Sequence, residues 1–497
     1  MGRRPLGIER WLQRDIVSVG LLALFATGFY VFPWPPAYGL SFLALAVLTF
    51  VRLDLALAVV PGFAPFVMEP KYIGHLTFAP TELLIGLDVS IAVVLIVLRR
   101  SPEPDWQKLR RSPFLVPACL FVLAVTISTL TAPNRHLALH AYRERVLDPL
   151  AYFALVLLFV RTRTGWYWIL GGVLAGGMAA GTIGLGQFAL QRDLSTVNGT
   201  GIRRVEALYG SPDNLGLLLD RLLPMWLVLA LSVDRRGAYK LGAWAAGIVL
   251  VAPLILSYSV GAWIAIGLVA AGVVALLRPW GKWAVLVVLV VCAAGVAVKY
   301  RSVEHAFQSG HSNSTQARVD VWRSSVQMIR DRPLVGIGPD NFQHMYAPTR
   351  AENKYQRVCD PGQGYIQPGA GAEPCLSHPH NEFLDFWLSS GILGLISYVF
   401  LLYVFWKTGI QTWRSSTGEA TRTLLLAVMA AMLAGMIHGL IDNSYFLVDL
   451  SLFFWLFCAV VSWLAGESGP SGDAAMSRRT EYAGWRVQAG TASVVTE

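Results

Sequence analysis

The residues of this chain best placed to do chemistry are His380-Asn381, followed after nine residues by Gly391-Ile392-Leu393-Gly394. Imidazole exchanges its proton near neutral pH, and its neutral form can take a proton from a hydroxyl group. The dipeptide closes a long polar stretch and precedes an apolar run from Phe383 to Tyr403. That places the ring at the mouth of a predicted membrane helix. His378 stands two residues earlier, but Pro379 separates the two and only His380 is followed by Asn. A His-x-His pair invites a metal reading, yet no third ligand stands at zinc-like spacing, so neither a metal nor any other cofactor is expected. Asp385, one turn beyond Asn381, either orients His380 or caps the start of the helix. His438 and Asp442 are four residues apart in another apolar run. They form either a functional pair, the default for ionisable groups in a membrane helix, or a structural hydrogen-bonded one.

The elements that must position these groups are membrane helices. Of the 497 residues, 55% are hydrophobic and 14% charged, with mean hydropathy +0.52. Soluble domains carry roughly a quarter charged residues. Runs of a span's length recur from 16–34 to 445–465, and the pattern predicts an all-α polytopic membrane protein with about 12–14 transmembrane helices. The weakest run, 53–68, contains Pro61 and Pro65. The first follows Arg3, Arg4, Arg10 and Arg14 without a small-residue cleavage site and reads as an uncleaved span. The organisation is then a terminal segment 1–15, a helical bundle 16–298, a large loop 299–381, further spans over 382–465 and a Gly/Ser/Ala-rich tail 466–497 that reads as disordered. A net charge of +9 is spread between spans rather than gathered on one face, which argues for membrane lipids and against nucleic acid as partner.

Orientation follows from the positive-inside rule. Arg52, the group Arg99, Arg100, Lys108, Arg110 and Arg111, and later Arg278, Lys407 and Arg414 fall on one side together with both termini. The loop 299–381 falls on the other. Three outer segments oppose this bias: one with Arg135, Arg143 and Arg145, one with Arg192, Arg203 and Arg204, and the large loop with Arg318, Arg323, Arg330 and Arg332. A guanidinium grips two oxygens of a phosphate at once and keeps its charge. Arginines at the outer leaflet suit a diphosphate whose lipid tail lies in the bilayer, although single ones also suit lipid headgroups. Within the loop Val319, Trp322, Val326 and Ile329 recur on one face of a predicted helix, and Gly336 and Gly338 mark the turn after it. Cys119, Cys292 and Cys458 lie in apolar runs, whereas Cys359 and Cys375 bracket a Gly/Pro-rich stretch of the loop and form a disulfide if that side is oxidising.

Three motifs in order resemble those of the O-antigen ligase and polymerase superfamily over roughly 195–465. H-N-x9-G-x-x-G is one. Arg204-Val205-Glu206-Ala207-Leu208-Tyr209-Gly210-Ser211-Pro212-Asp213-Asn214 is similar to R-x-x-G-x-[FY]-G-x-P-N, with Ala207 in place of Gly and Asp213 inserted. Arg318 to Trp322 and Pro333 to Phe342 are similar to the loop signature R…W…P-L-x-G-x-G-x-x-x-F. At Ser257-Tyr258-Ser259-Val260-Gly261-Ala262, Val260 stands where relatives often carry arginine. The resemblance implies a GT-C-like membrane glycosyltransferase of the bacterial inner membrane with its site and large, partly helical loop facing the periplasm. It further implies an undecaprenyl-diphosphate-linked glycan as donor, metal-independent inverting transfer, His380 as general base, and Arg204 and Arg318, with Arg203 and Arg145, on the diphosphate. One dominant outer loop favours a ligase with a lipid A-core acceptor. A polymerase extending a growing glycan is the alternative, and a small-anion transporter a second one. No paired Gly/Pro-broken helices of related halves speak for the transporter.

Overall fold

The computed structural model describes residues 14–100, 102–196, 203–232, 237–279, 281–283, 285–287, 290, 314–346 and 378–467. Cys359, Cys375, most of the run 283–298 and the tail beyond 467 lie outside the described residues, and so does the proposed disulfide.

The protein is an all-α polytopic membrane protein. Among the described residues, eight helices are long and apolar enough to cross a membrane, and four shorter apolar ones accompany them. The first three are α1 (Asp15–Val31), α2 (Pro35–Val51) and α3 (Leu53–Phe63), the last ending in a 3₁₀ turn over Ala64–Phe66. Arg52, at the α2–α3 junction, reaches Asp15 and Asp54, which ties the starts of α1 and α3 together. A ribbon of β1 (Lys71–Ile73) and β2 (Leu76–Phe78) leads to α4 (Pro80–Val97). A short α5 (Trp106–Arg110) precedes α6 (Leu115–Thr131). Then come α7 (Arg135–Tyr142), one π-helical turn over Arg143–Leu147, α8 (Asp148–Phe159) and α9 (Arg163–Leu190). The predicted proline-interrupted span is therefore a real but short helix, with Pro61 inside it and a 3₁₀ turn containing Pro65 at its end.

The second ribbon pairs β3 (Ser195–Thr196) with β4 (Arg203–Arg204), strands of two residues that leave no periodic signal in the sequence. It is followed by α10 (Pro212–Ser232), α11 (Ala238–Ser257) and α12 (Val260–Leu277). Within the large loop lie α13 (Ser314–Asp331) and α14 (Asn341–Tyr346), and the chain continues with α15 (Glu382–Ser415), α16 (Glu419–Gly439) and α17 (Val448–Glu467). At the centre, α10 packs on α12 and α16, while α17 packs on α8 and α15 on α6. Below the His380 end, Phe386 stacks on Tyr398 with centroids 3.8 Å apart, and Phe121, Tyr445 and Trp455 close round them. Stacked rings in a dense interior leave little room for movement.

One element departs from the reading of the apolar run from Phe383 to Tyr403 as a continuous helix. Gly391 breaks α15 with φ 68° and ψ −174°. The break leaves Leu388 without its helical donor and Ile392 without its acceptor, and such groups need partners. The turn after α13 supplies both: Ile337 N–H donates to the Leu388 carbonyl at 2.7 Å, and the Pro333 carbonyl accepts from Ile392 N–H at 3.1 Å. Trp387 Nε1 donates to the same Pro333 carbonyl at 2.9 Å. A methyl on Gly391 would lie 2.0 Å from the Leu334 carbonyl, so only glycine admits the loop. The helix predicted over 319–329 forms, but its buried face is rotated. Val321, Met328 and Ile329 pack with Ile337, Phe342 and Leu388, whereas Val326 is exposed.

Candidate active site

His380 sits in the turn leading into α15 with φ +48°, a left-handed conformation uncommon for a side chain with a Cβ. Two bonds hold it there. Asn381 is the N-cap of α15, its Oδ1 accepting from Leu384 N–H at 3.0 Å, and its Nδ2 donates to the Leu440 carbonyl at 2.9 Å. That second bond fastens the mouth of α15 to the turn between α16 and α17, which carries Asp442. His380 Nδ1 then lies 2.9 Å from Asp442 Oδ1, and His378 Nε2 lies 3.3 Å from the same oxygen. The two imidazole centroids are 4.2 Å apart.

Asp442 is buried and its Oδ1 also accepts from Asn443 N–H at 2.8 Å. Burial alone would push its carboxyl up, but the bonds from His378 and His380 outweigh burial and hold it well below the usual carboxylate range. A charged carboxylate only accepts, so the shared proton belongs on His380 Nδ1. The lone pair is thereby left on Nε2, which has no hydrogen-bond partner among the described residues. This tautomer is the one that can act as a base.

The other candidates fall into two sets. Asp385 neither caps α15 nor touches His380, which corrects both readings of it. Its Oδ1 accepts from Ser389 Oγ at 2.9 Å and its Oδ2 from Asn443 Nδ2 at 2.7 Å, so it braces the turn carrying Asp442. His438 does not pair with Asp442 through its side chain, because Asp442 lies past the end of α16. His438 Nδ1 meets Asp220 Oδ2 at 2.7 Å instead, and Asp220 also pairs with Arg221 at 2.9 Å. Arg221 in turn reaches Ser444, and Tyr398 donates to Glu382 at 2.6 Å. Asp220, Arg221, Glu382 and Asp442–Ser444 form a buried polar system that sequence reasoning largely missed. Sequence reasoning reached only Asp442 and His438 of it; the adjacent pair Asp220-Arg221 inside an apolar run was a further signal that could have been read.

The arginines lie on several elements. Arg204 donates from Nε to the Ser257 carbonyl at 2.7 Å and from Nη2 to Asp213 at 2.8 Å. Asp213, inserted relative to the resembled motif, is thus the partner of that arginine. Arg203 is exposed and bonds Gln191 at 2.9 Å. Arg145 pairs with Asp340, whose charge outweighs the effect of burial and raises the pKa of the guanidinium. The Arg145 carbonyl accepts from Tyr445 at 2.9 Å, three residues from Asp442. Arg318 is half-buried near the start of α13. Arg143 pairs with Glu82 and Arg332 with the Thr131 carbonyl, which gives these two structural work.

His378, His380 and Asp442 also correct the reading that no third ligand accompanies the His-x-His pair. Their three ligand atoms lie within 4.8 Å of one another, and the third comes from 62 residues further along.

The chain is thus a polytopic helical membrane protein with a carboxylate-held histidine at the mouth of a broken span. Residues 245–399 match the family model described as O-antigen ligase. This match supports placing the chain in the O-antigen ligase superfamily and supports a glycosyltransferase activity of ligase or polymerase type. The matched stretch contains Arg318, His380, Asn381 and Gly391, whereas Arg145, Arg204 and Asp442 lie outside it. No curated protein matches the chain.

Proposed function

We propose that the protein is an O-antigen ligase, moving a glycan from undecaprenyl diphosphate to a sugar hydroxyl of a lipid A-core acceptor on the periplasmic face of the inner membrane. The observation that carries this reading is the His380–Asp442 bond of 2.9 Å, which leaves Nε2 as the proton acceptor. In the step, the acceptor hydroxyl gives its proton to His380 Nε2 while its oxygen bonds the anomeric carbon. The bond from that carbon to the diphosphate oxygen breaks, and its electron pair leaves with the diphosphate. Attack opposite the leaving group inverts the centre. Asp442 stabilises the imidazolium that forms, the part a carboxylate plays in other His–Asp pairs.

The leaving diphosphate gains charge, and Arg204 and Arg318, with Arg203 and Arg145, are the groups to neutralise it. Arg204 and Arg145 are held by Asp213 and Asp340 in this state. Donor binding replaces one anion by another at those guanidiniums. No residue assigned here requires a metal. The single large outer loop, set against the shorter 191–213 segment, favours ligase over polymerase.

The test uses purified protein, labelled undecaprenyl-diphosphate glycan, and either lipid A-core or a polyprenyl-linked glycan as acceptor. Transfer to lipid A-core that is lost in His380→Ala, with folding retained, is the expected result. Transfer only to the polyprenyl-linked chain would make the protein a polymerase. Near-normal transfer by His380→Ala would remove the base assignment.

A further inference from the structure

We infer that His378, His380 and Asp442 form a binding site for a divalent transition-metal ion of the zinc class, and that an ion held there switches the enzyme off. The inhibitory part rests on the reading of His380 as base; the binding part does not.

Three features make the trio a metal site rather than a chance cluster. Its donors are two imidazole nitrogens and one carboxylate oxygen, the set that zinc takes in many open sites. Tetrahedral zinc, with bonds of about 2.0–2.1 Å, sets its ligand atoms roughly 3.3 Å apart. Here the carboxylate oxygen already lies 2.9 Å from one nitrogen and 3.3 Å from the other. Capture therefore needs small adjustments of side chains rather than rebuilding of the backbone. The ligands are also braced from behind: Asn443 N–H donates to Asp442 Oδ1, and Asn381 ties the His380 turn to Leu440. Such support is what fixes ligand geometry in metal sites. Both histidines are only partly covered, which leaves an approach for the ion.

The consequence for His380 follows from its tautomer. With Asp442 as partner, the proton is on Nδ1 and the lone pair on Nε2. A metal ion takes the lone pair of the nitrogen that faces it, which here is Nδ1. Neutral imidazole then carries its only proton on Nε2, so the nitrogen that would accept the acceptor's proton becomes a donor. The base is lost without any group moving far. Asp442 also spends its charge on the ion instead of on the imidazolium. Zinc bound here is thus an inhibitor by chemistry.

The experiment titrates zinc into the purified, detergent-solubilised full chain by calorimetry, and cobalt by its visible absorption. His378→Ala, His378→Gln and the wild type are compared, and zinc inhibition of transfer is measured on the same samples. The expected result is one ion per chain in the wild type, a tetrahedral cobalt spectrum, and binding weakened at least tenfold in both variants. Zinc should inhibit wild-type transfer, and the variants should need at least tenfold more for the same loss. Equal affinity in wild type and variants, or no stoichiometric binding, would overturn the site. Binding that depends on His378 while transfer stays uninhibited would uphold the site and overturn His380 as the base.

Discussion

Replacing Asp442 by Asn isolates the electrostatic part of the proposed base. The amide oxygen can keep the place of Oδ1, because Asn443 N–H and His380 Nδ1–H both point at it. The tautomer survives, and what disappears is the negative charge facing the imidazolium formed during transfer. Two unit charges 2.9 Å apart interact by roughly 5–6 kcal/mol at an effective dielectric constant of about 20. His380 is partly open to water, which screens some of this, and a neutral oxygen still accepts a hydrogen bond. A net loss of about 2–4 kcal/mol remains, or roughly a 30- to 1000-fold lower rate. The assay is single-turnover transfer of labelled glycan at saturating donor, with folding checked by thermal melting. Loss in the rate with little change in donor KM is expected, since Asp442 touches no arginine assigned to the donor. A rate within threefold of wild type would refute the charge argument and reduce Asp442 to a scaffold residue.

Two further perturbations address the surroundings of the site. Gly391→Ala places a methyl 2.0 Å from the Leu334 carbonyl at φ +68° and should cost about 2–4 kcal/mol from overpacking and backbone strain together; an unchanged melting midpoint would show that the 333–338 turn is not docked there. Asp340→Asn keeps a residue that tolerates its left-handed φ of +55° while freeing Arg145. Because that ion pair is partly exposed, donor KM should fall only about two- to fivefold, and an unaltered KM would take Arg145 out of the diphosphate site.

The helical architecture was legible because an apolar run of span length has little use except to cross a bilayer. The predicted runs 16–34, 53–68 and 445–465 fall on described helices, and the run from Phe383 continues well past its predicted end, to Ser415. Asn381 was legible as a residue of note next to His380, and its two jobs are capping α15 and anchoring it to Leu440. Asp442 was visible as an ionisable residue but assigned to the wrong partner. Helical spacing pairs residues four apart, and the end of α16 at Gly439 cancels that rule before it reaches Asp442. The anionic partners of Arg204 and Arg145 were illegible for a different reason. Asp213 read as an interruption of a motif and Asp340 as part of a glycine turn, while pairing across 195 residues carries no local signal. The rotated face of α13 shows the same limit, since its packing partner Leu388 lies far away in sequence.

The spacing of nine residues between Asn381 and Gly391 has a mechanical reading. Ten steps at about 1.5 Å make a strut of roughly 15 Å. One end is fixed by Asn381 to the Leu440 carbonyl. The other is fixed by the paired bonds of Ile337 and Pro333 across the break. The turn holding that far end is the continuation of α13, and α13 packs on the strut through Val321, Met328 and Leu388. Arg318 is one turn earlier on the same helix. The strut therefore sets where Arg318, the proposed donor-binding arginine, stands relative to His380, the proposed base, although the two are 62 residues apart in sequence. Lengthening it by one residue would rotate His380 by about 100° about the helix axis relative to Gly391, and neither the Asp442 bond nor the loop contact could then be kept together. A motif written as a histidine and two glycines is, on this account, a length gauge between the proposed proton acceptor and the charge proposed to stabilise the leaving group.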